Sequence, residues 1–324
     1  MITGGKDGLL VRMNPKFEVD ASMTTPSGIK SLDISDTGKI LKVARTLLQG
    51  HRVSSNQELR GCATNPTNEH EYATVGDDSA VYVRNLKTKL TVAKTYLQGK
   101  LRAIHYSPDG KYLAVGNNNG DIFILKSNDL TQVHFQKYEK MKDMKTKAHG
   151  INVLKFSPNG KFLAVGTNDS VIYVWQLSEG FKKMDTLKGH TAVVNYLDWS
   201  SHSDHLRSDS GAEVIHWAIP GGSAVKDIKS VEWTSFTCPF NEMNAKDATK
   251  NCVDRSPSKT FTVAGDDSSC LTLQAHPSKP AMPYKRYYGH GGAVTSVAFN
   301  SNGKYLLSTG SLDGCTFEWK IQKP

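Results

Sequence analysis

Two copies of Gly-Asp-Asp stand at residues 76–78 and 265–267, and adjacent carboxylates of this kind could hold a divalent cation. Both copies occupy a place where similar stretches read Gly116-Asn117-Asn118-Asn119 and Gly166-Thr167-Asn168-Asp169. A tight turn that favours Asp, Asn and Gly accounts for all four. Eleven histidines allow a Ser–His–Asp set to be drawn, yet no GxSxG elbow, HExxH pair or GxxxxGK[ST] loop occurs. Five cysteines (Cys62, Cys238, Cys252, Cys270, Cys315) lie at wide, irregular gaps without a CxxC pair, so they suggest neither zinc nor a disulfide framework. The expectation is a chain that is not an enzyme, with no catalytic residue, no metal and no cofactor.

The remaining chemistry is charge. Lys137, Lys140, Lys142, Lys145 and Lys147 crowd into eleven residues, against only Glu139 and Asp143. The whole chain carries 40 Lys plus Arg against 31 Asp plus Glu, a net charge of +9. An acidic partner follows from that balance: nucleic acid, anionic lipid or an acidic protein surface. Basic segments interleaved with aromatics are absent, which disfavours nucleic acid. No stretch approaches the roughly 20 apolar residues of a membrane span, and the start, Met1 to Asp7, has no apolar signal core.

What positions these groups is a repeat. One unit runs Leu101-Arg102-Ala103-Ile104-His105-Tyr106-Ser107-Pro108-Asp109-Gly110 and on through Leu113-Ala114-Val115-Gly116 to Ile122-Phe123-Ile124-Leu125. The next repeats it from Val153 through Ser157-Pro158-Asn159-Gly160 to Trp175, and the last runs from Val294 through Asn302-Gly303 to Trp319. In each, a short alternating strand meets a turn in which Gly supplies positive φ. A second strand then ends at Gly, and a third, rich in β-branched and aromatic residues, closes the unit. Three or four short strands every 40 to 50 residues make a β-propeller blade, and no stretch keeps a helical period. Composition agrees with a globular all-β chain, being 38% hydrophobic and 22% charged.

Seven units carry this grammar, at 28–48, 61–86, 101–125, 153–175, 192–219, 228–275 and 294–319. Residues 2–14 resemble two strands of another blade, which would make eight. Between Lys39 and Glu58 the chain is too short to finish one blade and begin the next. The expected organisation is a partial blade or closing strands over 1–20, shared with a propeller upstream, and a propeller of seven or eight atypical blades over 21–324.

The final unit, with Gly289-His290, Gly310-Ser311-Leu312-Asp313-Gly314 and Trp319, resembles the WD-repeat propellers. In that family a His, a strand Ser or Thr, the turn Asp and the Trp form a hydrogen-bonded tetrad. The resemblance implies His290, Thr309, Asp313 and Trp319 here. His149, Asp169 and Trp175 match in an earlier unit, where Val165 replaces the hydroxyl residue, and Gly189-His190 with Trp217 mark a third. No Trp is followed by Asp. A narrower resemblance covers nearly the whole chain and is to the C-terminal propeller of the echinoderm microtubule-associated protein-like family. It is carried by Thr3-Gly4-Gly5-Lys6-Asp7-Gly8, Leu197-Asp198-Trp199-Ser200, Leu206-Arg207-Ser208-Asp209-Ser210-Gly211-Ala212-Glu213, Ser230-Val231-Glu232-Trp233-Thr234-Ser235-Phe236-Thr237-Cys238 and Tyr288-Gly289-His290.

That resemblance implies a cytoskeletal, microtubule-associated scaffold in the cytoplasm, on ciliary or spindle microtubules. Its partners would be tubulin or microtubules and other cytoskeletal proteins, with no nucleic acid and no membrane, and the fragment would be monomeric. Lys137 to Lys147, on a loop between strands, are the expected partner-binding residues. The alternative is a general WD-repeat adaptor that recognises a peptide of another complex.

Overall fold

The structure is a computed structural model. It describes the strands at 2–4, 9–13 and 19–24, residue 51, and residues 58–137, 150–178, 180–211, 213–238, 250–277, 283–311 and 313–321. All regular structure among these residues is antiparallel β-sheet.

Near the start, β1 (Ile2–Gly4), β2 (Leu9–Met13) and β3 (Val19–Thr24) make a three-stranded sheet of their own. Six further sheets follow as blades. Blade 1 is β4 (Leu59–Thr64), β5 (Glu71–Gly76), β6 (Ala80–Asn85) and β7 (Thr91–Tyr96). Blade 2 is β8 (Leu101–Tyr106), β9 (Tyr112–Asn117), β10 (Ile122–Lys126) and β11 (Gln132–Gln136). Blade 3 is β12 (Ile151–Phe156), β13 (Phe162–Thr167), β14 (Val171–Gln176) and β15 (Lys182–Lys188). Blade 4 has three strands, β16 (Tyr196–Trp199), β17 (His205–Asp209) and β18 (Val214–Ala218). Blade 5 is β19 (Lys250–Arg255), β20 (Phe261–Asp266), β21 (Cys270–Ala275) and β22 (Tyr284–Tyr288). Blade 6 is β23 (Val294–Phe299), β24 (Tyr305–Gly310) and β25 (Thr316–Lys320).

The all-β propeller expected from the repeat is present, with six blades among the described residues rather than seven or eight. The ring closes between blades 6 and 1, which leaves no opening there for another sheet. Leu59 N–H donates to the Ser311 carbonyl at 3.3 Å, and the Thr295 and Thr64 hydroxyls donate to the Leu59 and Phe299 carbonyls at 2.7 Å each. The expected unit at 28–48 lies outside the described residues. Within the unit at 228–275 the first strand among the described residues begins at Lys250. Its earlier part, through Cys238, is an irregular segment lodged between blades 4 and 5. There Ser201 N–H donates to the Glu232 carbonyl (2.8 Å), Thr234 N–H to the Trp199 carbonyl (3.0 Å) and the Arg255 guanidinium to the Trp233 carbonyl (2.8 Å).

Blade 2 presents apolar residues to both neighbours, because a β-strand points alternate side chains to opposite faces. Val115, Leu113 and Phe123 of blade 2 pack with Val75 and Val83 of blade 1, whereas Ala114, Ile122 and Ile124 pack with Ile151 and Leu154 of blade 3. The strand-ending glycines permit this close approach. A Cβ added to Gly116 would lie 2.5 Å from the Ile151 side chain, and one on Gly265 would lie 2.5 Å from Val294. The turn glycines Gly110, Gly160 and Gly303 have φ of +70°, +69° and +67°, the left-handed values that the two Ser-Pro-x-Gly turns and the Asn-Ser-Asn-Gly turn of blade 6 require.

Candidate functional site

Blade 6 holds a chain of four hydrogen-bonded side chains. Trp319 Nε1–H donates to Ser308 Oγ at 2.8 Å, and Ser308 Oγ lies 2.8 Å from His290 Nε2. On its other side the ring meets Asp313 through Nδ1, also at 2.8 Å. The directions are mutually consistent: the hydroxyl accepts from the indole and donates to Nε2, which leaves Nδ1–H to donate to the carboxylate. Burial opposes ionisation of Asp313, but the His290 ring and the Cys315 and Gly291 amides hold its carboxyl below the usual range.

The hydroxyl in this chain is Ser308, not Thr309 as the sequence suggested. Trp319 lies opposite Leu306, and the residue two further along its partner strand shares its face; Thr309, one residue on, points to the other face. There its hydroxyl lies 2.9 Å from Thr295 Oγ1. The same register equates Leu163 with Leu306 and Val165 with Ser308, because Leu163 pairs with Trp175. In that blade the Trp175 indole nitrogen has no hydrogen-bond partner among the described residues and its ring stacks on Phe181 at 5.1 Å. Asp169 accepts the Thr167 hydroxyl. His149 lies outside the described residues.

Two further chains are present: one at His190 and Trp217, which the resemblance marked without its other members, and one in blade 1 that was not read from sequence. In blade 4, Trp217 donates to Ser208 (2.8 Å) and Ser208 meets His190 Nε2 (2.6 Å). Glu213 stands where blade 6 has Asp313. It reaches His190 Nδ1 only at 3.6 Å and instead accepts Thr191 N–H at 2.7 Å, as Asp313 accepts Gly291 N–H. In blade 1, His51 lies 2.8 Å from Asp78 through Nδ1 and 3.0 Å from the Thr74 hydroxyl through Nε2. The residue that donates to Thr74 is Arg84, at 2.9 Å, in place of a tryptophan. A signal was available: Val81-Tyr82-Val83-Arg84 aligns with Ile172-Tyr173-Val174-Trp175. Burial lowers the pKa of both His51 and His190, and the Thr74 and Ser208 hydroxyls, accepting from Arg84 and Trp217, keep their own hydrogen to donate to Nε2.

Ser308, His290 and Asp313 have the composition of a hydrolase triad. Ser308 is fully buried at 0% exposure and its hydroxyl is already bonded on both sides, so a substrate cannot reach it. The Gly-Asp-Asp carboxylates serve turns as well: Asp266 accepts the Ser268 and Cys270 amides, and Asp78 accepts Ala80 N–H alongside His51. Among the described residues no group of three or more His, Cys, Asp or Glu could hold a metal ion.

A second polar centre joins blade 4 to the irregular segment. Asp198, wholly buried, pairs with Arg207 (2.8 Å) and Lys155 (3.3 Å) and accepts the Ser235 hydroxyl and the Thr237 and Cys238 amides. Burial alone would raise its pKa, but Lys155 and Arg207 hold the carboxyl far below the usual range. The Arg207 guanidinium lies over the rings of Trp233 (4.7 Å) and Phe236 (4.9 Å). Three of the segments that carry the family resemblance, around Asp198, Arg207 and Thr237, thus meet at one carboxylate.

The innermost strands surround a channel of about 800 Å³. Lys155, His105 and Asp254 line it from one register position on blades 3, 2 and 5. Burial and the nearby Lys155 push His105 down to about 3, and burial raises Asp254 to about 6. Of the lysines expected to bind a partner, Lys137 is exposed just after β11, while Lys140, Lys142, Lys145 and Lys147 lie outside the described residues.

Comparison with known proteins places this architecture. Residues 59–321 match the family model described as the echinoderm microtubule-associated protein second beta-propeller. Echinoderm microtubule-associated protein-like 4 of Xenopus laevis is 28% identical over 85% of this chain, and the chain covers 30% of that protein. Echinoderm microtubule-associated protein-like 2 of Mus musculus is 29% identical over 85% of this chain, which covers 43% of it. The 77 kDa echinoderm microtubule-associated protein of Lytechinus variegatus is 28% identical over the same share, with 42% of its own length covered. The chain therefore spans less than half the length of these relatives. A chain in the crystal structure of the mitotic checkpoint complex superposes with a TM-score of 0.63 at 18% identity, covering 82% of this chain and 87% of that one, a likeness of fold. With 59–321 matched and the six blades built as described, this chain belongs to the echinoderm microtubule-associated protein family and carries its second β-propeller.

Proposed function

We propose that this propeller is a non-catalytic binding platform of the cytoskeleton that engages tubulin or microtubule-linked complexes. The observation that carries the reading is the match of 85% of the chain to relatives that are themselves named microtubule-associated proteins. Charge supports it: a net +9 favours an acidic partner and hastens encounter at low salt. Rigidity supports it too. Tetrads and apolar faces hold the blades before a partner arrives, so less side-chain freedom is lost on docking. Lys137, Lys140, Lys142, Lys145 and Lys147 are the proposed contact residues. Co-sedimentation with polymerised tubulin at low and moderate salt tests the reading. The chain should pellet with the polymer and release as salt rises; a chain that stays in the supernatant at both salts contradicts it.

A further inference from the structure

Five of the six innermost strands are interrupted at one and the same position. The pairing register slips between Leu59 and Gly61, Leu101 and Ala103, Ile151 and Val153, Lys250 and Cys252, and Val294 and Ser296. The extra residues are Arg60, Arg102, Asn152, Asn251 and Thr295, and Asn195 holds the same place just ahead of β16. All six line the channel. A β-bulge re-aims the side chain of its extra residue. Here the repeated bulge builds a ring of hydrogen-bond donors, two of them guanidinium groups on adjacent blades.

The partners of these groups differ. Arg60 is paired with Glu58 and lies 3.9 Å from Asp77. Thr295 donates to the Leu59 carbonyl, and Asn251 donates to Asp267 at 2.6 Å. Arg102 makes no hydrogen bond or ion pair with any described residue, and its Nε is buried without a partner. A buried Nε–H without a partner is costly, and the planar fork of a guanidinium whose terminal nitrogens open on the channel is matched by a carboxylate. Among the described residues, Arg60, Arg102 and Lys100 are set against Glu58 and Asp77. Two and three blades on from Arg102, Asp209 of blade 4 and Asp267 of blade 5 line another part of the wall.

We propose that this level of the channel is a binding site for a single carboxylate, the side chain of an acidic residue within a polypeptide partner, with Arg102 as its anchor and Arg60 beside it. The acidic residues elsewhere on the channel wall repel polyanions, so the site selects an isolated glutamate or aspartate over a phosphate chain. The inference does not depend on the partner being tubulin.

The test is titration of the nitrogen-15-labelled chain with the blocked peptide Ac-Gly-Glu-Gly-NH₂ and its neutral isostere Ac-Gly-Gln-Gly-NH₂, read on the arginine Nε–H signals. The signal that disappears in Arg102→Gln should shift saturably with the glutamate peptide, below about 10 mM, and not with the glutamine peptide. Arg102→Gln should weaken binding at least about tenfold, Arg102→Lys less, and the surface variant Lys161→Gln not at all. No saturable shift, or equal shifts with both peptides, overturns the site. If Arg102→Gln does not fold, Arg102→Lys decides, because unchanged affinity in that variant removes the fork from recognition. Tubulin binding that survives Arg102→Gln, together with no peptide response, defeats this site and leaves the proposed function standing. An Arg102-dependent peptide response without tubulin binding does the reverse.

Discussion

Arg84 of blade 1 takes the place that Trp319 holds in blade 6. Each donates a nitrogen-bound hydrogen to a buried hydroxyl, Arg84 to Thr74 at 2.9 Å and Trp319 to Ser308 at 2.8 Å. Each of those hydroxyls in turn meets a histidine Nε2, and each histidine meets a carboxylate through Nδ1. The network survives replacement of its aromatic end because the hydroxyl needs a donor, not an indole.

The substitution leaves a cost that can be measured. Arg84 is 1% exposed, its Nε and one terminal nitrogen lack partners, and burial pushes it down to about 10. Tryptophan should restore the donor without a buried cation, so Arg84→Trp should raise stability by about 1 kcal/mol. Arg84→Ala removes the donor and opens a cavity, and should cost about 3 kcal/mol. Urea unfolding of both variants checks the pair; a loss with Arg84→Trp as large as with alanine contradicts the assignment.

The two neighbouring hydroxyls of β24 should separate in the same assay. Ser308→Ala strands His290 Nε2 and the Trp319 N–H together and should cost about 2–3 kcal/mol. Thr309→Val breaks only the contact with Thr295 and keeps its volume, and should cost about 1 kcal/mol. The reverse order would return the network to Thr309.

Asp254 gives the channel a pH dependence of stability. Its folded pKa, raised to about 6 by burial, exceeds the unfolded 3.8, so the folded state binds more protons between these values. Stability is therefore greatest below that window and falls as pH rises through it. The shift corresponds to at most about 3 kcal/mol, and water in the channel reduces this to about 2 kcal/mol. Lys155 opposes the shift and Asp198 adds to it. Asp254→Asn keeps an acceptor for the Phe299 amide, and should flatten the profile between pH 4 and pH 6 and stabilise the protein at pH 7. An unchanged profile contradicts the assignment.

The fold class was legible because the repeat writes two periods into the chain: alternation along each strand, and the turn glycines that recur as Gly110, Gly160 and Gly303. Blade number was not legible. The segment from Glu232 to Cys238 has strand-like alternation, yet its hydrogen-bonding groups are spent on Asp198 and on the Trp199 carbonyl rather than on a sheet. The tetrad was read one residue out of register at Thr309, and in a strand one residue reverses the face. Arg84 and Glu213 escaped because a motif names residue types, whereas the structure asks for a donor and an acceptor at fixed places. The bulges leave no trace in sequence at all, since they are a property of pairing between strands.

The measurement closest to the central claim is the affinity of the chain for tubulin dimer as a function of ionic strength, taken alongside the charge-reversal variant Lys140→Glu with Lys142→Glu. The account expects saturable binding that weakens steadily as salt rises, and at least about tenfold weaker binding by the variant at low salt. No binding at any salt would contradict the proposal that this propeller engages tubulin, and equal binding by the variant would contradict the assignment of its contact residues.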